Sequence, residues 1–404
     1  MQDIAQAGYR FRQVDDLLRD NQYLWRPQPF THLILPWEQQ HPELAQWLRR
    51  RTLQQAEQQH LQPWLLDAPE PFATLAKRCL ELSLVPQLEL QQPPDSSALP
   101  RGLEANIPGR KLEQIHAFTQ AMAFAGTPKV LLDWCGGKGY LSRYLARPGR
   151  RVECLEWQAG LCADGSRECH KLGLEVAFHQ FDALGQPATQ LLARADTWVA
   201  LHACGDLHTH LLRQAGRQQV QRLAISPCCY NKIAAENYQP LSQAGRQSAL
   251  RLDKQDLGLA LKATVTAGAR DKRLRDQSMA WRLGFDLLQR RTNRQGGYLP
   301  VPSSASKWLQ LDFADWCRQV ARLREVALPP VTDWELAEQA GWDRLAQVRN
   351  LELVAALFRR PLEIWLLLDQ LQFLHEHGFA VRMGSFCTPG LTPRNLALLA
   401  ERAI

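Results

Sequence analysis

The chain has 404 residues, of which 45% are hydrophobic and 22% are charged, and it carries a formal net charge of +7 at pH 7. These values are ordinary for a soluble globular protein, and a chain of this length can bury a large core without disulfides or metals. No apolar run reaches the roughly 18 residues that a membrane helix requires, and the polar N-terminus lacks the apolar segment of a secretion signal. We therefore predict a cytoplasmic protein without a membrane partner.

Residues 1–100 predict an N-terminal helical region. Leu44, Trp47 and Leu48 share one helical face, and several prolines keep the helices short. The polar, proline-containing stretch 93–97 is typical of a linker.

From residue 109 the pattern changes to alternating helices and strands. The predicted helices cover 111–125, 140–146 and 161–172, and the predicted strands cover 130–132, 152–155, 174–178, 197–201 and 222–225. Alternation at this spacing indicates a parallel sheet with helices on both faces.

The C-terminal part predicts a helix over 361–377 and two strands over 379–386 and 395–401. The turn between these strands is too short for a parallel crossover, so the two strands must be antiparallel. Five parallel strands plus a C-terminal antiparallel hairpin is the α/β, Rossmann-like sheet of class I methyltransferases.

The two parts of this sheet are separated by a long insertion. We predict a core over 101–230 and 361–404, with a mainly helical insertion over 231–360. Residues 231–310 hold 14 Lys and Arg against 6 Asp and Glu, so this segment carries the whole net positive charge. Charge runs are commonly solvated helix faces, but a local surplus favours a polyanionic partner such as RNA.

A glycine turn follows the first strand of the core. Its residues are Asp133, Trp134, Cys135, Gly136, Gly137, Lys138 and Gly139. Glycines let the backbone turn sharply and approach a ligand at the start of a helix. Glu156, after the second strand, is placed to bind ribose hydroxyls. Asp182 and Ala183, after the third strand, are placed beside an adenine.

Two cofactors suit such a turn. Gly137, Gly139 and Ser142 nearly satisfy the spacing of an NAD-binding turn. Asp133, however, would repel a pyrophosphate, whereas it suits the ammonium group of S-adenosylmethionine. The sequence therefore favours S-adenosylmethionine over NAD, and over a purely structural turn.

Polar residues and thiols follow the fourth and fifth strands, where ligands of such sheets bind. The candidate catalytic residues are His202, Asp206, Cys228, Cys229 and Tyr230. The ordinary pKa of histidine suits a base, Asp206 could orient or replace it, and Tyr230 could stack on a flat acceptor. Cys228 or Cys229 could instead attack a pyrimidine ring, which requires a lowered thiol pKa.

The ten cysteines show no metal-ligand pattern along the sequence. None forms a CxxC pair, and the adjacent Cys228 and Cys229 are poorly spaced as two ligands of one zinc ion. We expect no metal, although a site assembled from distant parts of the chain stays open.

The residues 135–139, 202–206 and 228–230, together with 392–396, resemble a methyltransferase-domain family. This family includes the glutathione S-transferase C-terminal-domain-containing protein and, more distantly, the acceptor-stem tRNA 2′-O-methyltransferase. The resemblance implies the fold, the cofactor and the cofactor contacts. The zinc-binding Cys/His pattern of the tRNA enzyme is not present in this sequence.

The leading functional hypothesis is methyl transfer to tRNA or rRNA. It depends on the basic insertion, with Trp281 and Tyr298 available to stack on bases and with cations at 270, 272, 273, 275, 290, 291 and 294. The alternatives are a methyltransferase for a small molecule or protein, and a non-catalytic module that binds S-adenosylmethionine.

Overall fold

The computed structural model describes residues 4–91, 100–185, 189–262, 268–292, 297–302, 306–331 and 333–402. The helices are α1 (Ile4–Asp20), α2 (Gln22–Trp25), α3 (Pro42–Arg49), α4 (Leu53–Gln59), α5 (Phe72–Ser83), α6 (Gly109–Ala121), α7 (Tyr140–Leu145), α8 (Ala159–Lys171), α9 (Thr189–Leu192), α10 (Asp206–Arg217), α11 (Gln243–Gln247), α12 (Lys254–Leu259), α13 (Ala269–Thr292), α14 (Phe313–Leu323), α15 (Trp334–Ala356) and α16 (Arg359–Glu376). The strands are β1 (Val130–Trp134), β2 (Arg151–Glu156), β3 (Val176–Gln180), β4 (Thr197–Cys204), β5 (Arg222–Cys228), β6 (Phe379–Ser385) and β7 (Leu396–Arg402). The predicted linker at 93–97 lies outside the described residues.

The strands form one sheet in the order β3-β2-β1-β4-β5-β7-β6. Strands β1 to β5 pair in parallel, and β7 pairs antiparallel with both β5 and β6. The predicted α/β fold, with five parallel strands and a C-terminal antiparallel hairpin, is confirmed. The strand order reverses between β1 and β4, and ligands of such sheets bind beyond the carboxyl ends of the strands at this point.

The central strands read as apolar runs because helices cover both faces of the sheet. Leu131 and Leu132 of β1 and Val199 of β4 have no exposed surface. Strand β7 is equally buried, since its residues Leu396 to Ala400 lie between β5 and β6. Across the described ranges, no helix is both long and apolar enough to span a membrane.

The chain divides into two compact units. Unit 1 consists of residues 1–19, 82–265 and 361–404 and contains the whole sheet, whereas unit 2 consists of residues 20–81 and 266–360. Helices α3 and α4 contact α15 inside unit 2, which is why part of the N-terminal region groups with part of the insertion. The unit bounds therefore differ from the four segments proposed from the sequence.

Candidate active site

The turn after β1 is built on left-handed backbone. Cys135, Gly137 and Gly139 have φ values of +60°, +60° and +68°. At Gly136, an added Cβ would lie 2.5 Å from Cys154 Sγ and 2.8 Å from Asp133 Oδ2. At Gly137, an added Cβ would meet nothing within 4 Å. The turn is therefore closed against the sheet at Gly136 and open at Gly137, where a ligand can approach the backbone.

Asp133 lies buried at the carboxyl end of β1. Its Oδ2 accepts a hydrogen bond from the Ser142 hydroxyl at 2.6 Å. Burial raises the pKa of Asp133 to about 6, against the opposing effects of the Ser142 hydrogen bond and of the charge on Lys111. Asp133 is thus mostly ionised at neutral pH, although a small fall in pH protonates it.

Two further carboxylates lie at the end of β2 and just after β3. Glu156 Oε2 accepts the Gly137 N–H at 3.1 Å, and Glu156 Oε1 accepts the Gln158 N–H at 2.9 Å. These bonds fix the carboxylate beside the turn and leave each oxygen a second lone pair. Asp182 is exposed, with its Oδ1 accepting the Leu184 N–H at 3.0 Å, and Ala183 next to it is buried. The first three strands therefore each present one carboxylate at the same edge of the sheet.

The ends of β4 and β5 are tied together by the backbone. The pairing of these strands is irregular between Leu201 and Ala203, and His202 has a φ of +67°. Gly205 has a φ of +49°, and an added Cβ there would lie 1.9 Å from the carbonyl oxygen of Lys232. The Gly205 N–H donates to the Cys228 carbonyl at 3.1 Å. This close approach requires glycine at position 205.

Three thiols converge at this junction. The Sγ atoms of Cys204, Cys228 and Cys229 all lie within 4.8 Å of one another. Cys204 Sγ and Cys228 Sγ are 3.5 Å apart, and Cys228 Sγ donates to the His202 carbonyl at 3.2 Å. The contact with Cys228 is the main cause that lowers the pKa of Cys204, whereas the pKa values of Cys228 and Cys229 are raised. The raised pKa values of Cys228 and Cys229 do not give either thiol the activation that attack on a pyrimidine ring requires.

Cys135 belongs to the turn but not to this group of thiols. Its pKa is raised to about 12, first by burial and then by the charges of Glu156 and Asp133. A thiol with this pKa is protonated and unreactive at neutral pH.

His202 does not have the ordinary pKa expected of a catalytic base. Burial lowers the pKa of His202 to about 3, and the cations Lys111 and Arg394 lower it further in the same direction. Its Nε2 lies 3.0 Å from Gln114 Oε1, a hydrogen bond that orients the imidazole ring. His202 is therefore neutral at physiological pH and a weak base.

The side chains of Asp206 and Tyr230 both make hydrogen bonds to other protein groups around the site. Asp206 Oδ2 accepts the Ala234 N–H at 2.6 Å, which fixes the segment after β5. The Tyr230 side chain is 1% exposed, its hydroxyl donates to Glu363 Oε1 at 3.5 Å, and its ring packs edge-on against His208. The expected stacking role of Tyr230 is wrong, because a buried ring cannot stack on an acceptor.

Sequence reasoning missed the groups that surround these strand ends. Lys111 and Gln114 come from α6, before the first strand, and Arg394 comes from the β6–β7 connection. Arg394 also donates to the Leu261 carbonyl at 2.7 Å. Arg394 belongs to residues 392–396, which carry the family resemblance, whereas no local sequence pattern identifies Lys111 or Gln114 as site residues.

The two aromatic residues expected to stack on RNA bases both contact other side chains of unit 2. Trp281 is 3% exposed and donates from Nε1 to Glu338 Oε1 at 2.7 Å. Tyr298 is half-buried and packs edge-on against Phe30 at 5.4 Å. The stacking role of Trp281 is therefore wrong, because its ring belongs to the core of unit 2.

Several cations of the insertion are paired within unit 2. Lys272 Nζ lies 2.7 Å from Glu57 Oε2, and Arg290 Nε lies 2.7 Å from Asp286 Oδ2. Arg270, Arg273 and Arg291 are exposed, and Arg294 lies outside the described residues.

The net charge is divided between the units. Unit 1 has 26 Lys and Arg against 23 Asp and Glu, and unit 2 has 22 against 18. The basic stretch in the sequence does not correspond to one basic unit.

Comparisons with known proteins match the sheet-forming part of the chain. Residues 110–236 match a family described as a methyltransferase domain. The tRNA (uracil-54, C5)-methyltransferase of Pyrococcus abyssi, solved with S-adenosyl-L-homocysteine, is 16% identical with a TM-score of 0.25, over 29% of this chain and 29% of that chain. An rRNA methylase of Streptococcus thermophilus is 15% identical with a TM-score of 0.23, over 30% of this chain and 71% of that chain. Geranyl diphosphate C-methyltransferase of Streptomyces coelicolor A3(2) is 20% identical with a TM-score of 0.26, over 35% of this chain and 56% of that chain.

These solved structures share only part of their length with this chain, which spans less than a third of the tRNA enzyme. Their acceptors differ, so they assign none to this chain. The family match identifies a methyltransferase domain, and S-adenosylmethionine is its cofactor. The open face of Gly137 and the three carboxylates fit this group, which supplies an electrophilic methyl group on its sulfonium when bound.

Proposed function

We propose that this S-adenosylmethionine-dependent methyltransferase transfers its methyl group to RNA, either tRNA or rRNA. The observation that carries the proposal is a group of cations at the carboxyl ends of β4 and β5. The charges of Lys111 and Arg394 both lower the pKa of His202, and the charge of Lys232 lowers the pKa of Cys204. Cations around the acceptor side of a cofactor site favour a phosphate-bearing acceptor.

The cofactor contacts are assigned to the ends of the first three strands. Asp133 would bind the ammonium group, Glu156 the ribose hydroxyls, and Asp182 with Ala183 the adenine. The turn residues 135–139 would approach the cofactor through Gly137, the position with open space in front of its backbone. A carboxylate already oriented by two backbone N–H groups, as Glu156 is, loses little freedom on binding.

The acceptor side would be formed by His202, Cys204 and the nearby cations. Neutral His202 can orient an acceptor hydroxyl or amine but removes a proton poorly. A reducing cytoplasm, predicted from the sequence, would keep the thiols of this side reduced.

Nucleoside mass spectrometry tests the proposal directly. We expect RNA from cells lacking the protein to lack one methylated nucleoside, and we expect the wild-type gene to restore it. The Asp133→Asn variant, expressed at the same level, should not restore it. An unchanged nucleoside profile would reject RNA as the acceptor.

A small-molecule acceptor is the second candidate. It is favoured by the burial of Trp281 and by the pairing of Lys272 and Arg290 inside unit 2, which remove much of the expected RNA surface. An unchanged RNA profile together with a methylated metabolite would support it. A non-catalytic module would bind the cofactor in a calorimetric titration but would methylate neither RNA nor a small molecule.

A further inference from the structure

We infer that Cys204, Cys228 and Cys229 bind one divalent metal ion of the zinc class at the junction of β4 and β5. This inference goes beyond the proposed function, because it holds whichever acceptor the enzyme methylates. It also departs from the expectation, drawn from cysteine spacing, that the chain has no metal.

The distances between the three sulfurs fit a single ion. All three Sγ atoms lie within 4.8 Å of one another, and those of Cys204 and Cys228 are 3.5 Å apart. With zinc–sulfur bonds of about 2.3 Å, tetrahedral geometry places sulfurs roughly 3.8 Å apart. The sulfur–sulfur distances would change by no more than about 1 Å to reach this arrangement.

The backbone explains how two adjacent cysteines reach the same point. Successive side chains of a regular strand point to opposite faces, so Cys228 and Cys229 should diverge. Cys229 instead has a φ of +45°, a left-handed conformation that non-glycine residues rarely adopt. This turn ends the alternation at the end of β5 and lets both sulfurs face Cys204.

The neighbouring end of β4 also contains left-handed backbone. His202 also has a positive φ, and Gly205 lies against the Lys232 carbonyl at a distance that no side chain would allow. Strained residues persist where the surrounding structure requires them, and they cluster at functional sites. Both strand ends therefore depart from regular geometry at the place where the thiols meet.

The surrounding charges suit a thiolate-bound ion. Three thiolates and one divalent cation carry a net charge of minus one. Lys232 lies close enough to act on the charge of Cys204 and Cys229, and Lys111 is close enough to feel the charge of Cys228. These two cations would offset the negative charge of the complex.

Three protein ligands leave one coordination position open. Zinc sites that keep three protein ligands hold water or substrate in the fourth position. Here that position would lie at the carboxyl ends of β4 and β5, on the side of the sheet edge proposed for the acceptor. The ion would thereby bind an acceptor atom or a water beside the cofactor.

Metal analysis of the reduced, full-length protein tests the inference. We expect about one equivalent of zinc by mass spectrometry and, after exchange for cobalt(II), thiolate-to-cobalt absorption in the near ultraviolet. Cys228→Ser should weaken cobalt binding by at least about tenfold. Cys387→Ser is the matched control, because Cys387 is a half-buried free thiol outside the cluster, and it should bind cobalt like wild type.

A thiol-reactivity assay on the wild-type protein makes the test independent of how the variants fold. Zinc should protect three thiols of the native protein from a disulfide reagent. Wild-type protein that binds neither zinc nor cobalt with stoichiometry near one would overturn the inference, as would equal loss of binding in Cys387→Ser and Cys228→Ser. Neither result would bear on the nucleoside test of the acceptor.

Discussion

The two halves of the sheet edge are built differently. The cofactor half, at the ends of β1 to β3, is a local turn with carboxylates in sequence order. The acceptor half, at the ends of β4 and β5, depends on a strand irregularity, left-handed residues and cations from distant segments. The first half is a short-range property of the chain, whereas the second exists only once the chain has folded.

The largest effect should come from Gly205→Ala, which tests how tightly the acceptor half is closed. The new Cβ would lie 1.9 Å from the Lys232 carbonyl oxygen, and the φ of +49° adds strain. We expect a loss of about 3 kcal/mol or more in the free energy of unfolding, measured by urea denaturation.

Gly149→Ala is the control, since its φ is +75° but an added Cβ meets nothing within 4 Å. It isolates the cost of the backbone conformation, which should be about 1 kcal/mol. Equal losses in the two variants would mean that the β4–β5 junction is not closely packed.

The next largest effect should come from Asp133→Asn, which tests the cofactor half. The amide can keep the hydrogen bond with Ser142 but loses the charge proposed to bind the cofactor's ammonium group. We expect cofactor affinity to fall about 10- to 100-fold with the fold intact. Calorimetry with S-adenosylhomocysteine and circular dichroism measure the two properties.

Asp164→Asn serves as the control for Asp133→Asn, because half-buried Asp164 pairs with the half-exposed Lys138 and with Arg167 and is not among the carboxylates assigned to the cofactor. Its affinity should match wild type. An unchanged affinity in Asp133→Asn would mean that the ammonium group is bound elsewhere.

A smaller effect should appear in the pH dependence of cofactor binding. The pKa of Asp133 is raised to about 6, so the carboxylate becomes protonated as the pH falls through that value. Ammonium binding favours the ionised form, and affinity should therefore decrease below pH 6. The same raised pKa means that ionisation costs folding stability as the pH rises from about 4 to 6.

Calorimetry between pH 5 and 8 measures this dependence, and Asp133→Asn provides the reference. The variant should show a flatter profile, since it lacks the titrating group. A wild-type profile as flat as that of the variant would separate Asp133 from cofactor binding.

The smallest effect should come from Lys232→Ala. If Lys232 contacts a phosphate as proposed, its removal should weaken RNA binding by a few fold and reduce the slope of log affinity against log salt by about 1. Lys129→Ala is the control, because Lys129 is also exposed but precedes β1, at the opposite end of the strand. RNA affinities that are equal in the two variants would remove Lys232 from the proposed RNA surface.

The sequence predicted the fold well because the strands follow from local patterns. Apolar runs gave β1 to β5 within a few residues, and the short turn after β6 required an antiparallel partner. The glycines and carboxylates assigned to the cofactor half lie at or just after the ends of their strands, so strand prediction also placed them at one edge of the sheet.

The acceptor half was not predictable in the same way. Nothing in the order of residues shows that His202 and Cys229 adopt left-handed conformations or that Lys111 lies near Cys228. The surplus of cations in 231–310 was likewise real in sequence but divided between two units in space. Long-range contacts decide these features, and single-sequence patterns do not record them.

Transfer of a labelled methyl group from S-adenosylmethionine to RNA tests the central claim most directly. The substrate would be total RNA from cells lacking the protein, with wild-type protein and Asp133→Asn compared side by side. We predict label in RNA with wild type and none with the variant. Unlabelled RNA from a wild-type protein that binds the cofactor would contradict the claim.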